Sequence, residues 1–514
     1  MKKLAAITLA LMTALCGFPA AAAFGESASP NNIYESDFSQ DTDGWYPRSG
    51  DGAAQLAQNA GFITITGRSD TWNSPGRDFE LIAGESYKIE FEIRQDELES
   101  AEFILSSAYT VASSESYTNI MSGSVGSGVW KKMSGIYIAP AADKYTLYIE
   151  TKGNASLSYS IRSFSVIKNS PTYSYDIPSL RELYASAFDF GTAVTQNEAV
   201  NKKRMDFYAS QFSIMTPGNE LKPDSVLDVS ASKRLVTSTG DEKSVAVHFT
   251  AAAPLLDYCK ENGIKVHGHV LVWHSQTPDA FFRAGYDNKA DFVDRDTMLA
   301  RLESYIKQIM EYMDANYPGL IVSWDVVNEA IDDNGGALRQ SNWTKVVGDD
   351  FIERAFEYAR KYAPEGTLLV YNDYNTPIEP KLTGICALLD RLVAEGNIDC
   401  YGFQAHLGES TPTPSKMRAA MEKIAAKGLK LRISELDITI SKDNEVFFKT
   451  QAYRYKSMME LFLEYKDIIE AVQVWGVCDD LSWRASQFPL LFDKYCQPKP
   501  AFNALVELAQ SLAE

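Results

Sequence analysis

The chain has 514 residues, of which 45% are hydrophobic and 23% charged, and this composition is typical of a globular protein with two or three domains. Its formal net charge of −19 at pH 7 argues against nucleic acid and anionic membranes as partners. The six cysteines are scattered, without C-x-x-C spacing, so no zinc site is predicted.

Residues 1–23 have the pattern of a secretory signal peptide. Two basic residues, Lys2 and Lys3, precede an apolar stretch at 4–15 and small residues at 21–23. The apolar stretch is too short to span a bilayer, and no later run is long enough. We therefore expect a secreted protein, extracellular or periplasmic after removal of the signal peptide. We also expect it to be a monomer that makes no membrane contact.

Residues 31–170 are predicted to form an all-β sandwich. Short alternating runs recur between clusters of Gly, Ser, Asn and Asp, and no helical periodicity interrupts them. The runs are Phe62–Thr66, Tyr87–Ile93, Ser134–Ile138, Tyr145–Ile149 and Ser158–Ile167. Residues 171–179, which include two prolines, are interpreted as a linker.

From residue 180 to 514, apolar strand-like runs alternate with amphipathic helices in eight pairs. The predicted strands are Phe188–Thr192, Phe212–Thr216, Lys265–Trp273, Ile321–Asn328, Leu368–Asn372, Tyr401–His406, Lys430–Ser434 and Ala471–Val477. The predicted helices include Asp296–Asn316, Asp350–Tyr362, Ser415–Lys427 and Glu445–Tyr465. This order predicts an α/β fold, a (β/α)8 TIM barrel. The alternative is an open doubly wound sheet, but the Gly-rich phosphate loop expected after its first strand is absent from the sequence.

Two glutamates stand at the ends of predicted strands. Glu329 directly follows Ile321–Asn328, and Glu435 directly follows Lys430–Ser434. A carboxylate at the end of an apolar strand is costly to desolvate, so two of them are rarely there for packing alone. In a barrel both would lie at the mouth formed by the C-terminal strand ends. Such a pair is what glycoside hydrolysis requires, because one carboxyl group protonates the leaving oxygen and the other attacks or activates water.

Seven segments of the predicted barrel resemble glycoside hydrolase family 10, the retaining endo-β-1,4-xylanases. They are Thr216–Pro223, His267–Gln276, Trp324–Ala330, Asn372–Asn375, Phe403–His406, Ser434–Asp437 and Val474–Val477. The segments occur in the family's order and extend over residues 180–512, which makes the resemblance specific. It implies an enzyme that acts on xylan and xylo-oligosaccharides and needs neither a metal nor an organic cofactor.

The resemblance implies that Glu329 is the general acid/base and Glu435 the nucleophile. His406 is expected to hydrogen-bond Glu435, with Asp437 holding the imidazole in turn. Asn328 is expected to bond the 2-hydroxyl of the sugar that is cleaved. Nine further residues are expected to line the sugar subsites: Asn219, Lys222, His269, Trp273, Gln276, Tyr374, Gln404, Trp475 and Trp483.

The sequence departs from the family pattern beside Asn219. The family usually has a glutamate directly before this asparagine, and here the residue is Gly218. We therefore expect subsites on the non-reducing side of the bond that differ from those of the family and hold short oligosaccharides less tightly. Residues 224–248 also look longer than the matching segment of the family and are expected to reshape that end of the cleft.

The sandwich resembles carbohydrate-binding module family 22 in the segments Asp43–Arg48, Gly67–Pro75 and Leu147–Glu150 and at Tyr117. By that resemblance, four residues are expected to form its sugar cleft: Arg48, Trp72, Tyr117 and Glu150. Aromatic faces stack on sugar rings, while Arg and Glu bond the hydroxyl groups. Related modules often carry paired aspartates at a structural calcium site. This chain has Ser160–Ser163 there, so no calcium is predicted.

The leading hypothesis is therefore a secreted retaining endo-β-1,4-xylanase with a xylan-binding module. One alternative is an endo-β-1,4-glucanase of the same barrel type. Gln276 and Trp483 favour xylan, because bulky side chains near C5 of the sugar would reject the hydroxymethyl group of glucose. The other alternative is a non-catalytic polysaccharide-binding protein, and the presence of both glutamates argues against it.

Overall fold

The computed structural model describes residues 31–111, 114–169 and 171–512. The predicted signal peptide at residues 1–23 lies outside the described residues. Among the helices of the described part, none is both long enough and apolar enough to cross a membrane.

The N-terminal region is a sandwich of two antiparallel sheets. Its strands are β1 (Asn32–Ser36), β2 (Tyr46–Arg48), β3 (Gln55–Asn59), β4 (Phe62–Thr66), β5 (Ser74–Phe79), β6 (Ser86–Arg94), β7 (Ser100–Val111), β8 (Ser114–Gly126), β9 (Lys131–Ile138), β10 (Lys144–Thr151) and β11 (Tyr159–Lys168). One sheet has the order β3-β4-β11-β6-β9, with β1 also paired to β11, and the other has the order β2-β5-β10-β7-β8. The predicted sandwich is confirmed.

The sandwich core follows from the alternation of the sequence. In β6, Ile89, Phe91 and Ile93 point inward and are almost fully buried, while Glu90 and Glu92 between them are half-buried. The Trp45 ring packs edge to face on Phe164, with 4.7 Å between ring centroids. The two sheets therefore enclose an apolar core, and their outer faces are available for polar side chains.

The C-terminal region is a closed parallel barrel. Its strands are β12 (Asp189–Val194), β13 (Ile214–Pro217), β14 (Lys265–Gly268), β15 (Val272–Trp273), β16 (Ile321–Asn328), β17 (Leu368–Asp373), β18 (Cys400–Phe403), β19 (His406–Leu407), β20 (Lys430–Ile438) and β21 (Ile469–Val474). The ring runs β12-β13-β14-β16-β17-β18-β20-β21 and closes through the pairing of β21 with β12. β15 and β19 are short continuations of the third and sixth ring strands. The predicted TIM barrel is confirmed.

The helices connect the strands around the outside of the barrel. They are α1 (Leu180–Leu183), α2 (Gln196–Ala199), α3 (Lys202–Gln211), α4 (Pro223–Val226), α5 (Val229–Thr239), α6 (Ala253–Asn262), α7 (Arg295–Asn316), α8 (Asn342–Val346), α9 (Phe351–Tyr362), α10 (Lys381–Glu395), α11 (Pro414–Ala425), α12 (Glu445–Glu464) and α13 (Pro500–Ser511). Side-chain caps fix several starts: Asp294 accepts from the Thr297 amide before α7, and Asn444 accepts from Val446 and Phe447 before α12.

Two details differ from the sequence-based expectation. The predicted strand Lys265–Trp273 is interrupted between β14 and β15. At the end of β14, the Trp324 ring packs where a side chain on Gly268 would otherwise lie. The segment 171–179, predicted as a linker, is partly packed on the barrel: the Tyr173 ring lies 5.2 Å from that of Phe207, and Tyr175 donates a hydrogen bond to the Lys203 carbonyl.

Candidate active site

A cleft of about 750 Å³ opens at the C-terminal ends of the barrel strands. Most predicted site residues line it: Asn219, Lys222, His269, Trp273, Gln276, Asn328, Glu329, Tyr374, Gln404, His406, Glu435, Trp475 and Trp483. Asp437 lies outside the lining, directly behind His406. The parallel strands bring these residues together, since all of their C-terminal ends face the same mouth.

Glu435 lies within β20 and is almost completely buried at the base of the cleft. Asn372 Nδ2 donates to its Oε1 at 2.8 Å, and His406 Nε2 lies 3.2 Å from its Oε2. Asn372 is oriented by Ser434, whose hydroxyl donates to the Asn372 side-chain oxygen at 2.7 Å. Both oxygens of the Glu435 carboxyl group are thus held by side-chain partners, which fix its direction.

His406 is placed between two carboxylates. Its Nδ1 lies 2.9 Å from Asp437 Oδ2, while Nε2 faces Glu435. Burial alone would lower the pKa of His406, but the charges and hydrogen bonds of Asp437 and Glu435 outweigh it and raise the pKa to about 10. At neutral pH the ring is therefore a cation with an N–H directed at each acid.

Asp437 collects three donors in total. In addition to His406, Trp483 Nε1 donates to Oδ2 at 3.0 Å and Arg484 Nη1 donates to Oδ1 at 2.7 Å. Asp437 is fully buried, so its charge requires these partners. The arrangement fixes the orientation of the imidazole that bonds Glu435.

Glu329 directly follows β16 and has a different set of partners. Its Oε1 accepts from Asn328 Nδ2 at 3.1 Å and from Gln404 Nε2 at 2.9 Å. Its Oε2 accepts from Trp273 Nε1 at 3.0 Å. These donors are neutral amides and an indole, whereas Glu435 faces a cationic imidazole. Different environments for two acids are the condition under which one can act as an acid while the other stays ionised.

Lys222 is at the centre of the polar group on one side of the cleft. Its Nζ donates to Asn219 Oδ1 at 2.9 Å and to Gln276 Oε1 at 3.0 Å, and lies 5.1 Å from the centroid of the Trp273 ring. Burial lowers the pKa of Lys222 below its usual range. The group presents several donors and acceptors at fixed positions, as recognition of sugar hydroxyls requires.

Two tryptophans, Trp475 and Trp483, also line the cleft. Trp475 packs edge-on to His269, with 5.3 Å between ring centroids, and Trp483 packs edge-on to His406 at 4.9 Å. Trp483 is 66% exposed, so its free face is open to a sugar ring. His269 is held from below by Asp325, whose Oδ2 lies 2.8 Å from Nδ1.

The loop that carries Trp483 is closed covalently by a disulfide between Cys478 and Cys496. The sequence left the pairing of the cysteines open, and Cys259, Cys386 and Cys400 are free thiols. The bonded ring therefore includes both side chains, Trp483 and Arg484, that donate to Asp437.

Gly218 lines the cleft beside Asn219. A Cβ built on Gly218 would meet no atom closer than 3.6 Å, so the site has room for a side chain that this chain lacks. Residues 224–248, expected to form a long loop, instead contain α4 and α5. In the described part of the chain, the lining of the cleft includes no residue from 225 to 248.

Three further residues hold the site. Asn372 ends a predicted strand and lies in one of the seven family segments, but no role was predicted for it from the sequence; it bonds Glu435. Arg484 bonds Asp437, and Arg339 bonds the main chain of Glu329. Both arginines are in loops without hydrophobic periodicity, so only their proximity to Trp483 and Glu329 in the sequence was a signal.

The predicted sugar cleft of the sandwich lies on the outer face of the β2-β5-β10-β7-β8 sheet. Tyr148 on β10 is opposite Gly76 on β5 and Ser106 on β7. The guanidinium carbon of Arg48 lies 3.8 Å from the centroid of the Tyr148 ring and 5.8 Å from that of Trp72. A side chain at position 76 would overlap Arg48, so the glycine makes room for this stack.

The remaining predicted residues extend the same face. Glu150 accepts a hydrogen bond from the Ser106 hydroxyl at 2.7 Å. Tyr117 on β8 is 56% exposed, and its hydroxyl donates to Glu115 at 2.6 Å. Across the described ranges, no cluster of three or more His, Cys, Asp and Glu side chains is arranged to hold a metal ion.

Comparison with known proteins agrees with this geometry. Residues 179–508 match the model of glycosyl hydrolase family 10, and residues 30–157 match a carbohydrate binding domain. The chain is 39% identical over 337 residues to the bifunctional endo-1,4-β-xylanase XylA of Ruminococcus flavefaciens, covering 65% of this chain and 34% of that protein. It is 30% identical over 511 residues to endo-1,4-β-xylanase A of Thermotoga maritima, covering 94% of this chain and 46% of that protein.

The chain thus spans less than half the length of these two curated relatives. Among solved structures, the CBM22-1–GH10 modules of endo-1,4-β-D-xylanase 10B from Clostridium thermocellum, in complex with xylohexaose, match with a TM-score of 0.61 and 29% identity. That match covers 93% of this chain and 97% of the other. The chain belongs to glycosyl hydrolase family 10 and carries an N-terminal carbohydrate-binding module.

Proposed function

We propose that this protein is an endo-β-1,4-xylanase that cleaves internal bonds of xylan with retention of configuration. The observation that carries the proposal is the pair Glu329 and Glu435 in one cleft, each held by a different set of donors. Glu435 attacks the anomeric carbon as Glu329 protonates the leaving oxygen. Glu329 then takes a proton from the water that hydrolyses the glycosyl-enzyme.

The supporting residues act on the same two steps. His406 keeps a positive charge beside Glu435, which stabilises the carboxylate before attack. Asn328 donates to Glu329. We assign to Asn328 the bond to the 2-hydroxyl, which tightens as the sugar ring becomes oxocarbenium-like. The Lys222 group binds hydroxyls on one side of the scissile bond, and Trp475 and Trp483 form apolar walls.

The substrate assignment rests on the relatives. Both curated relatives described above are named as xylanases, and the solved structure was obtained with xylohexaose. We assign the sandwich to xylan binding, through Arg48, Trp72, Tyr117 and Glu150. Export is proposed from residues 1–23 alone, and a monomer without nucleic-acid or membrane partners is the state in which we expect the enzyme to act.

The experiment is a product analysis on arabinoxylan and on carboxymethylcellulose, followed by NMR at early times. Xylo-oligosaccharides released first as the β-anomer support the substrate, the endo action and retention together. Initial release of the α-anomer would mean inversion, with Glu435 as a base for water. Equal rates on both polymers would contradict the specificity for xylan, and silence on both would contradict the proposed activity.

A further inference from the structure

The main chain at Glu329 is in the left-handed region, with φ of +57°. A residue other than glycine stays in this region only where surrounding contacts hold it there. The Glu329 amide donates to the Asn372 carbonyl at 2.9 Å, and the Ala330 amide donates to the Tyr371 hydroxyl at 3.0 Å. The Glu329 carbonyl oxygen accepts from Arg339 Nε at 2.9 Å. The two peptide groups that flank the Glu329 Cα atom are therefore both held by hydrogen bonds.

Arg339 reaches this carbonyl because residues 330–339 form a hairpin that returns to the end of β16. Ile331 and Leu338 form an antiparallel bridge, and the Arg339 amide donates to the Ala330 carbonyl at 2.7 Å. This register places the Arg339 side chain one residue from the acid. The position of the guanidinium is thus set by hairpin geometry and not by a long flexible reach.

The hairpin is seated on α10 through two glycines. A Cβ built on Gly384 would overlap the carbonyl oxygen of Gly336, and a Cβ built on Gly336 would overlap that of Pro380. Gly336 also has a φ of +65°, which disfavours other residues. Because the obstructing atoms are main chain, the close approach of hairpin and helix depends on both glycines.

The other end of the guanidinium is tied to the cleft wall. Arg339 Nη2 donates to the Tyr374 hydroxyl at 3.1 Å, and that hydroxyl donates to Asp333 Oδ2 at 2.5 Å. Lys381 Nζ lies 3.5 Å from the centroid of the Tyr374 ring and 3.0 Å from Asp333 Oδ1. Arg339 is outside the residues that line the cleft, so it connects the acid to the wall from behind.

We propose that Arg339 is a positioning residue that fixes the direction of the Glu329 carboxyl for proton transfer to the leaving oxygen. This inference rests on the proposed function and on the role of Glu329 in it. Arg339 bonds the main chain of Glu329 and not its carboxylate, so its contribution is to geometry. Proton transfer requires the acid within hydrogen-bond reach of the leaving oxygen, and a small rotation at φ moves the carboxyl out of reach.

The role gives a specific kinetic signature. A leaving group that needs protonation depends on the position of Glu329, whereas an activated aryl group departs with little help. Loss of Arg339 should therefore affect the first substrate and spare the second. A general structural defect in the cleft would lower the rate on both substrates by a similar factor.

The test compares kcat/KM for xylohexaose and for a dinitrophenyl xylobioside, since kcat/KM reports the first chemical step. For Arg339→Met we expect a loss of about tenfold to a hundredfold on xylohexaose and of less than about threefold on the aryl substrate. Arg339→Lys should recover part of the xylohexaose rate. The matched control is Arg418→Met, because Arg418 pairs with Glu464 on the barrel surface, and it should leave both rates unchanged.

Similar losses on both substrates, or none on either, would overturn the positioning role. If Arg339→Met does not fold, the losses of kcat/KM on the two substrates are compared for Arg339→Lys instead. A larger loss on xylohexaose supports the positioning role, and similar losses on both substrates contradict it. A wild-type enzyme without activity on xylohexaose would remove the proposed function and this inference together. If the wild-type enzyme is active and Glu329→Ala loses activity mainly on xylohexaose, but Arg339→Met loses activity equally on both substrates, only the inference about Arg339 is contradicted.

Discussion

The cleft of the barrel and the proposed sugar cleft of the sandwich differ in how their polar atoms are bonded. In the barrel, the carboxylate of Glu435 accepts from two side chains and that of Glu329 from three. In the sandwich, Trp72 and Tyr117 are 38% and 56% exposed. In the described ranges, Arg48 Nη1 has no hydrogen-bond partner, and the guanidinium rests on an aromatic ring.

The difference corresponds to the two proposed functions, bond cleavage in the barrel and polymer binding by the sandwich. Bond cleavage requires charges fixed to within fractions of an ångström in a site that excludes water, so the barrel holds each acid with several neighbours. Retention of a hydrated polymer requires exposed aromatic faces and polar groups that exchange water for sugar hydroxyls. The barrel cleft is therefore distinguished by acids that each accept several hydrogen bonds, and the sandwich face by exposed aromatic side chains.

The largest expected effect comes from removing the nucleophile. Glu435→Ala should lower activity on every glycoside by at least about 10⁴-fold, because no covalent intermediate can form. The measurement is sugar release from xylan and aryl release from an activated xylobioside. Circular dichroism should show the wild-type fold, and substantial residual turnover on either substrate would contradict the assignment of Glu435.

The next effect separates the two acids. Glu329→Ala should lower kcat/KM on xylan by about 10² to 10⁴-fold, since general acid catalysis contributes about that much. The same variant should keep most of its kcat/KM on a substrate with a dinitrophenol leaving group. The two rates are compared on one enzyme preparation, and equal losses would show that Glu329 is not the acid.

The hydrogen-bonded group of Glu435, His406 and Asp437 also predicts a pH dependence of stability. The pKa of His406 is raised to about 10 in the folded protein, from about 6.5 for an unperturbed histidine. A raised folded-state pKa means that the stabilisation is complete below about pH 6.5 and is lost as the pH rises towards 10. We expect the Tm of the wild type to fall by several degrees more between pH 7 and 10 than that of His406→Gln.

The control for this comparison is His248→Gln, because His248 is exposed and lies outside the cleft lining. Its Tm should follow the wild type at every pH. Parallel curves for the wild type and His406→Gln would show that the imidazolium does not contribute to stability in this way.

The smallest expected effect concerns the sandwich. Trp72→Ala should weaken binding to insoluble xylan by about twofold to tenfold, the amount expected for loss of one aromatic stacking contact. Activity on soluble xylan should be unchanged. Trp130→Ala is the matched control, because Trp130 is next to β9 in the other sheet, where it packs with Phe62 and Arg162. Equal loss of binding in both variants would contradict the position of the cleft.

Sequence patterns predicted the elements with clear periodicity. The bounds of β4 and β16 match their predicted runs, because alternation or a continuous apolar run leaves little freedom. Six sandwich strands were not among the predicted runs: β1, β2, β3, β5, β7 and β8. In β8, residues 114–126 are mostly polar, and their side chains are exposed or half-buried along nearly the whole strand. An edge strand of this kind has no hydrophobic signal.

The same contrast applies to the site. Residues at strand ends, such as Glu329, Asn372 and Glu435, are brought together by the barrel itself, so a predicted fold also predicts their proximity. Arg339 and Arg484 reach the site from loops, and their positions depend on a hairpin register and on local turns. Hydrophobic periodicity does not show which residues of a loop will contact the site, so the positions of these two arginines could not be predicted from it.

The disulfide between Cys478 and Cys496 has a consequence for the entropy of sugar binding. The loop that it closes contains Trp483, whose exposed face is proposed to contact the sugar, and Arg484, which bonds Asp437. A cross-link reduces the conformations available to the enclosed segment. The disulfide therefore restricts the loop before any sugar is bound, so that less conformational entropy of the loop is lost on binding.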